Sequence, residues 1–152
     1  MFSSLLLTFY AMKEVAVGII LRNGQVLACQ RKRDAQYALK WEFPGGKLEP
    51  GETAVQALRR ELREELAIET MLHQEFFRQE WIYAEGTDNP KRDGAFRVFY
   101  FLVNEFSGEP VNLAFEVIQW MHPRQLQRMD ILEGNREAVE RLVKYAEEQQ
   151  TA

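Results

Sequence analysis

One cysteine and two histidines, Cys29, His73 and His122, are all the thiol and imidazole metal ligands that this chain of 152 residues offers. A lone cysteine permits no internal disulfide and points to a reducing compartment, the cytoplasm. The same scarcity excludes a Cys/His zinc cluster. No G-x-S-x-G run is present, so the familiar serine-nucleophile elbow is missing too. Basic charge is short as well: 19 Lys and Arg stand against 23 Asp and Glu, for a net charge of -4. That balance lacks the basic face with which proteins hold a nucleic-acid backbone, so no stable nucleic-acid partner is expected. Long apolar runs are also missing. The opening "MFSSLLLTFYA" is too short to span a bilayer and has no basic leader, so neither a membrane association nor a signal peptide is expected. Residues 1–11 read as an extension, poorly ordered or upstream of a natural start at Met12, and residues 12–152 as a single domain.

What remains is ample material for a core: 46% hydrophobic and 12% aromatic residues. "EVAVGIIL" (Glu14 to Leu21) and "QVLACQ" (Gln25 to Gln30) are rich in β-branched residues, and Asn23-Gly24 between them is a tight-hairpin signal. "FPGG" punctuates the chain as a loop. A helix starts near Thr53, where Thr53 and Gln56 form a capping-box pattern. Ala54, Ala57, Leu58, Leu62 and Leu66 give it an apolar stripe. Strands are expected around Glu75 to Tyr83, Phe96 to Val103 and in "EVIQWM", with the polar "AEGTDNPKRDGA" as a loop and "NEFSGEP" as a turn. The chain closes on an amphipathic helix, "NREAVERLVKYAEEQQ", for which Asn135 is a natural cap. The sum is a mixed sheet carrying helices on its faces, an α/β or α+β sandwich.

Glu61, Glu64 and Glu65 fall within an arc of about 100° on the first helix. Taken alone they read as a solvated charged face, with Arg59, Arg60 and Arg63 as local partners. Directly after a glycine-rich loop they read differently. Three crowded carboxylates repel one another unless a cation joins them. Oxygen ligands of this kind suit Mg²⁺, or Mn²⁺ as a substitute, and a pyrophosphate could complete the coordination.

Gly46, five residues, Glu52, seven residues, then "RELREELAI" from Arg60 to Ile68 resembles the Nudix box. Every fixed position matches except Ala67, which stands where the family has glycine. "VAVGII", Arg31 and "KWEFPGGKLEPGET" extend the resemblance to the MutT-type subgroup, from Met12 to about Leu142. The resemblance implies an α/β/α sandwich around a mixed sheet. It also implies divalent-metal-dependent cleavage of a pyrophosphate bond in a nucleoside diphosphate linked to another moiety. By the same resemblance Glu61 and Glu65 are core metal ligands, Glu64 is a further ligand or the proton acceptor, and the Gly45 carbonyl is a backbone ligand. Arg60 orients the carboxylates, and Glu52, pointing away from Glu61 on a helix, pairs with Arg60. Glu116 is the candidate for one more metal-binding carboxylate, with an ordinary strand-edge acid as the plainer reading. Arg31 and Asn135 match nucleotide-contacting positions and Phe43 lies near the base, while Gln36 replaces a histidine of the best-known MutT members.

The expected activity is that of a nucleoside triphosphate pyrophosphohydrolase, releasing a monophosphate and pyrophosphate, with oxidised guanine nucleotides among its candidate substrates. Its partner is then a small nucleotide, and the chain acts as a monomer or homodimer. Alternatives are an RNA 5′-pyrophosphohydrolase, with Lys91 and Arg92 as strand contacts, and a dinucleotide or ADP-ribose pyrophosphatase. A nucleotide-sensing module without activity is disfavoured, because the carboxylates are intact.

Overall fold

The two faces of the first strand set the architecture. The computed structural model describes residues 12–82 and 94–151. Strand β1 (Met12–Arg22) turns through Asn23 and Gly24, with φ of 53° and 75°, into β2 (Gln25–Gln30). Two successive positive φ values are what a tight hairpin turn demands and what Asn-Gly supplies at low cost. Strand β3 (Trp41–Glu42) pairs with β2, and β4 (Gly45–Lys47) pairs with the first half of β1. Strands β5 (Glu69–Ile82) and β6 (Ala95–Ser107) form a long antiparallel ribbon, and β6 runs parallel to β1. Strand β7 (Val117–Met121) pairs antiparallel with β2. The seven-stranded sheet is therefore mixed, with the path β3-β2-β1-β6-β5 and with β4 and β7 attached beside it.

Period-two alternation divides β1 between two cores. Ala16 and Ile20 pack with Ala57, Leu58 and Leu62 of helix α1 (Ala54–Leu66). Val17 and Ile19 face the other way, toward Ala138, Val139 and Leu142 of the C-terminal helix. That helix, α3 (Arg136–Thr151), follows a short α2 (Pro123–Gln127) and a 3₁₀ turn, Glu133–Asn135. Helix α1 on one face, with α2 and α3 on the other, makes the α/β/α sandwich that the resemblance implied. Each fully buried leucine of α1 contributes about 2 kcal/mol through the apolar surface it removes from water. Among the described residues no helix is long and apolar enough to cross a membrane.

The ends of α1 follow their local chemistry. The Thr53 hydroxyl accepts from the Gln56 N–H at 3.1 Å, and the Gln56 side chain accepts from the Thr53 N–H at 2.9 Å, a complete capping box. At the other end Ala67 adopts φ 56° and ψ 34°, and its N–H closes onto the carbonyls of Arg63 and Leu62. This is the left-handed position that the family fills with glycine.

Four expectations change. Gly45 and Gly46, expected to lie in the "FPGG" loop, instead open β4, because lacking side chains they can pair closely against Ala16 and Val17 of β1. Strand β5 begins at Glu69 rather than near Glu75, because only Thr70 is buried between Glu69 and Glu75 and two register shifts there erase the alternation. Strand β6 continues to Ser107, so the turn expected in "NEFSGEP" is confined to its second half, where Gly108 has φ 95°. Asn135 ends the 3₁₀ turn, and its amide bonds across the core to Tyr100 instead of capping α3. Tyr83, Lys91, Arg92 and most of the expected "AEGTDNPKRDGA" loop lie outside the described residues, as do residues 1–11.

Candidate active site

The Gly45-Gly46 strand divides the site in two. On its α1 side the chains approach so closely that a side chain cannot fit: a Cβ on Gly46 would lie 2.4 Å from the Glu61 carboxylate. A Cβ on Gly45 would lie 2.2 Å from the Ala16 carbonyl oxygen. These glycines bring backbone directly against the acids. The Gly45 N–H donates to Glu65 Oε1 at 2.9 Å. Where the resemblance assigned Gly45 a carbonyl role, its N–H is the group the structure sets on an acid.

Arg60 organises the acids. Its Nε and Nη2 donate to the two oxygens of Glu52 at 2.8 and 2.9 Å, and Nη2 also reaches the Lys47 carbonyl at 2.9 Å. Its Nη1 donates to Glu61 at 2.7 Å and, more weakly, to Glu64 at 3.4 Å. The fork thus ties the loop before α1 to the acidic face of the helix, a geometry that lysine could not reproduce. Glu52 is indeed the partner of Arg60, but it precedes the Thr53 cap and is not on the helix. The Arg60 guanidinium and the Glu49 N–H hold its carboxyl down at about 2.

Glu65 is in the opposite situation. Burial, then the charge of Glu61, pushes its carboxyl up to about 8; the Gly45 N–H opposes this, and Glu42 and Glu64 add to it. A half-buried acid repelled by three neighbours has a strong electrostatic reason to gain a cation. Among the described residues no three acid, histidine or cysteine side chains already converge into a closed cage. The donor set, all hard oxygen, nevertheless fits a divalent ion such as Mg²⁺, with Glu61, Glu64 and Glu65 as the residues that would hold it.

The other side of the Gly45-Gly46 strand is a cleft of about 260 Å³. Arg31, Phe43 and Asn135, three residues picked out by the sequence, all line it. Phe43 belongs to the core as well, being only 3% exposed. Arg31 is held from two directions: Nε donates to the Gln36 carbonyl at 2.6 Å, and Nη1 donates to both oxygens of Glu42 at 3.0 and 3.1 Å. Glu42 was missed in the sequence, where a lone acid between Trp41 and Phe43 carries no periodic signal. Burial raises its carboxyl above the usual range, and Arg31 opposes that. Gln36 also lines the cleft. Glu116 does not: its carboxylate faces Arg33 at 3.7 Å, with the Arg33 side chain largely and that of Glu116 partly exposed. A larger groove of about 890 Å³ lies at the far end of β1, between the Asn23-Gly24 turn and α3. It touches neither the α1 acids nor Gly45, and the cleft beside Gly45 is the one the chemistry favours.

The NUDIX domain model matches residues 12–142. The chain is 34% identical over 131 residues to the 8-oxo-dGTP diphosphatase of Haemophilus influenzae, which covers 86% of this chain and 90% of that protein. It is 55% identical over 58 residues to the CTP pyrophosphohydrolase of Escherichia coli, covering 38% of this chain and 43% of that one. Among solved structures, a MutT NUDIX hydrolase from Burkholderia pseudomallei superposes with a TM-score of 0.75 at 26% identity, over 86% of this chain and 98% of that chain. With the box in sequence, the sandwich in three dimensions and a family match across most of the chain, this protein belongs to the Nudix hydrolase family.

Proposed function

We propose that the protein hydrolyses the bond between the α- and β-phosphates of purine nucleoside triphosphates, giving a nucleoside monophosphate and pyrophosphate. The observation that carries this reading is the adjacency across Gly45-Gly46 of an acidic face and a base-sized cleft. A nucleotide could place its phosphates on the first and its base in the second. Resemblance to an 8-oxo-dGTP diphosphatase over most of both chains supports a triphosphate as the substrate and oxidised dGTP as a member of the class.

In this reading Glu61 and Glu65 would hold Mg²⁺, with Mn²⁺ as a substitute and Glu64 beside them, and the bound ion would neutralise phosphate oxygens and make water more acidic. Arg60 keeps Glu61 and Glu64 in place while Glu52 anchors Arg60 from behind. Glu64, largely exposed beside its two neighbours, is free to accept the proton of the attacking water or to bind the ion. Arg31, braced by Glu42, and Phe43 bound the nucleoside, and Asn135 reads the base edge. A second reading, a pyrimidine triphosphate as substrate, is favoured by the segment shared with a CTP pyrophosphohydrolase.

The test is a panel under one set of conditions: the common ribo- and deoxyribonucleoside triphosphates, oxidised dGTP, ADP-ribose, a dinucleoside polyphosphate and a 5′-triphosphorylated RNA oligomer, each with Mg²⁺ and with Mn²⁺. The expected result is that a free purine triphosphate has the highest kcat/KM. A preference for CTP moves the second reading ahead, and far better turnover of the oligomer overturns the mononucleotide reading.

A further inference from the structure

Tyr100 lies at the centre of the α3-side core and is fully buried. Its ring stacks on Phe77, with centroids 4.7 Å apart and planes 3° from parallel, and meets Phe43 edge-on at 6.5 Å. The ring is thus fixed between two others, and its hydroxyl is aimed at the floor of the cleft. There it donates to the Gly134 carbonyl at 3.2 Å and accepts from Asn135 Nδ2 at 2.9 Å. The assignment follows from proton counting. A phenol has one proton and a carbonyl can only accept, so the Tyr100 proton goes to Gly134 and the second partner must be a donor. The amide nitrogen of Asn135 is therefore the end turned toward Tyr100. Its carbonyl oxygen is the end left over. Among the described residues Oδ1 has no protein partner, yet it is not among the buried atoms sealed away from solvent, and Asn135 lines the cleft.

We infer that Tyr100 is a positioning residue for base selection: its hydroxyl holds the Asn135 amide in one orientation, with the carbonyl oxygen toward the cleft, so that the cleft selects a nucleobase edge offering an N–H donor there. The two ends of an amide are nearly equal in size. Without a fixed partner the group can turn over and serve an acceptor edge as well as a donor edge. This inference rests on the cleft being the base site of a triphosphate hydrolase.

The test measures kcat/KM for ATP, GTP, CTP, UTP and purine riboside triphosphate, which lacks the exocyclic amine of ATP. The readout is the ratio between the best and the worst base. Tyr100→Phe keeps the ring and removes only the hydroxyl; it should lower this ratio about ten-fold, the scale of one lost polar contact in a desolvated site. In an Asn135→Ala background the same substitution should lower the ratio no further, because Tyr100 acts only through that amide. A ratio that survives Tyr100→Phe overturns the inference, as does a uniform loss over all bases or an additive double variant. Should the phenylalanine variant fail to fold, Asn135→Asp tests the same point. An aspartate presents an oxygen to the cleft whichever way it turns, while the Tyr100 proton swings from the Gly134 carbonyl to the carboxylate oxygen facing it, so the order of base preference should be retained, and a lost or inverted order overturns the inference. A wild type that cleaves triphosphates without base preference overturns the inference, and the purine preference with it, but leaves triphosphate hydrolysis standing. A wild type that cleaves no triphosphate overturns the proposed function together with it.

Discussion

At the scale of single residues the site depends on what small side chains permit. Gly46 lets the backbone pass beside Glu61, and a methyl group there would meet the carboxylate at 2.4 Å. Gly46→Ala is therefore expected to displace Glu61 and cut metal-dependent turnover at least ten-fold, measured as kcat at saturating Mg²⁺. The helix signal in circular dichroism should persist, since the clash falls on a side chain rather than on the core. Ala67 presents the converse case. It holds φ 56° with a Cβ that disfavours this region, so Ala67→Gly should stabilise the fold by about 0.5–1 kcal/mol in denaturant titration, with turnover unchanged. A less stable glycine variant would mean that the strain is already relieved by the bonds to Arg63 and Leu62.

At the scale of elements, α1 is held at both ends and across its face by interactions of different origin. Its capping box and apolar stripe were legible in the sequence because both depend on spacing along one helix. So were the Asn-Gly hairpin and the strained helix exit at Ala67. The early start of β5 was not, because its first turn of residues is mostly exposed and its bulges break the two-residue period. Contacts between distant positions were equally hidden. Nothing in "WEF" announces that Glu42 braces Arg31, and nothing near Asn135 announces Tyr100, 35 residues away. The Arg60–Glu52 link at the start of α1 gives a pH prediction. The folded carboxyl of Glu52 is held at about 2, below its ordinary 4.5, so its contribution to stability is present above pH 4.5 and is lost as pH falls toward 2. Glu52→Gln has no such proton to gain. The stability gap between wild type and variant, taken from urea melts, should be widest at neutral pH and close progressively below pH 4.5, and it should be smaller in high salt. A gap independent of pH would show that the ion pair is not what anchors the loop.

At the scale of the whole molecule, the mixed sheet presents two different chemistries at one edge. Helix α1 brings the acids to one side of β4, and the loop entering α3 brings Asn135 to the other. A triphosphate spanning the two would meet both. The central claim is that the α1 carboxylates drive divalent-cation-dependent cleavage between the α- and β-phosphates. It is tested most directly by following phosphorus NMR of the best purine triphosphate with wild type and with Glu65→Gln, each in Mg²⁺ and in excess chelator. Glutamine keeps an oxygen for the Gly45 N–H and loses only the charge, so the variant should melt like the wild type. The account predicts monophosphate and pyrophosphate from wild type in Mg²⁺, and almost nothing from the variant or from either protein in chelator. Full turnover by Glu65→Gln or in chelator, or orthophosphate released in place of pyrophosphate, would contradict it.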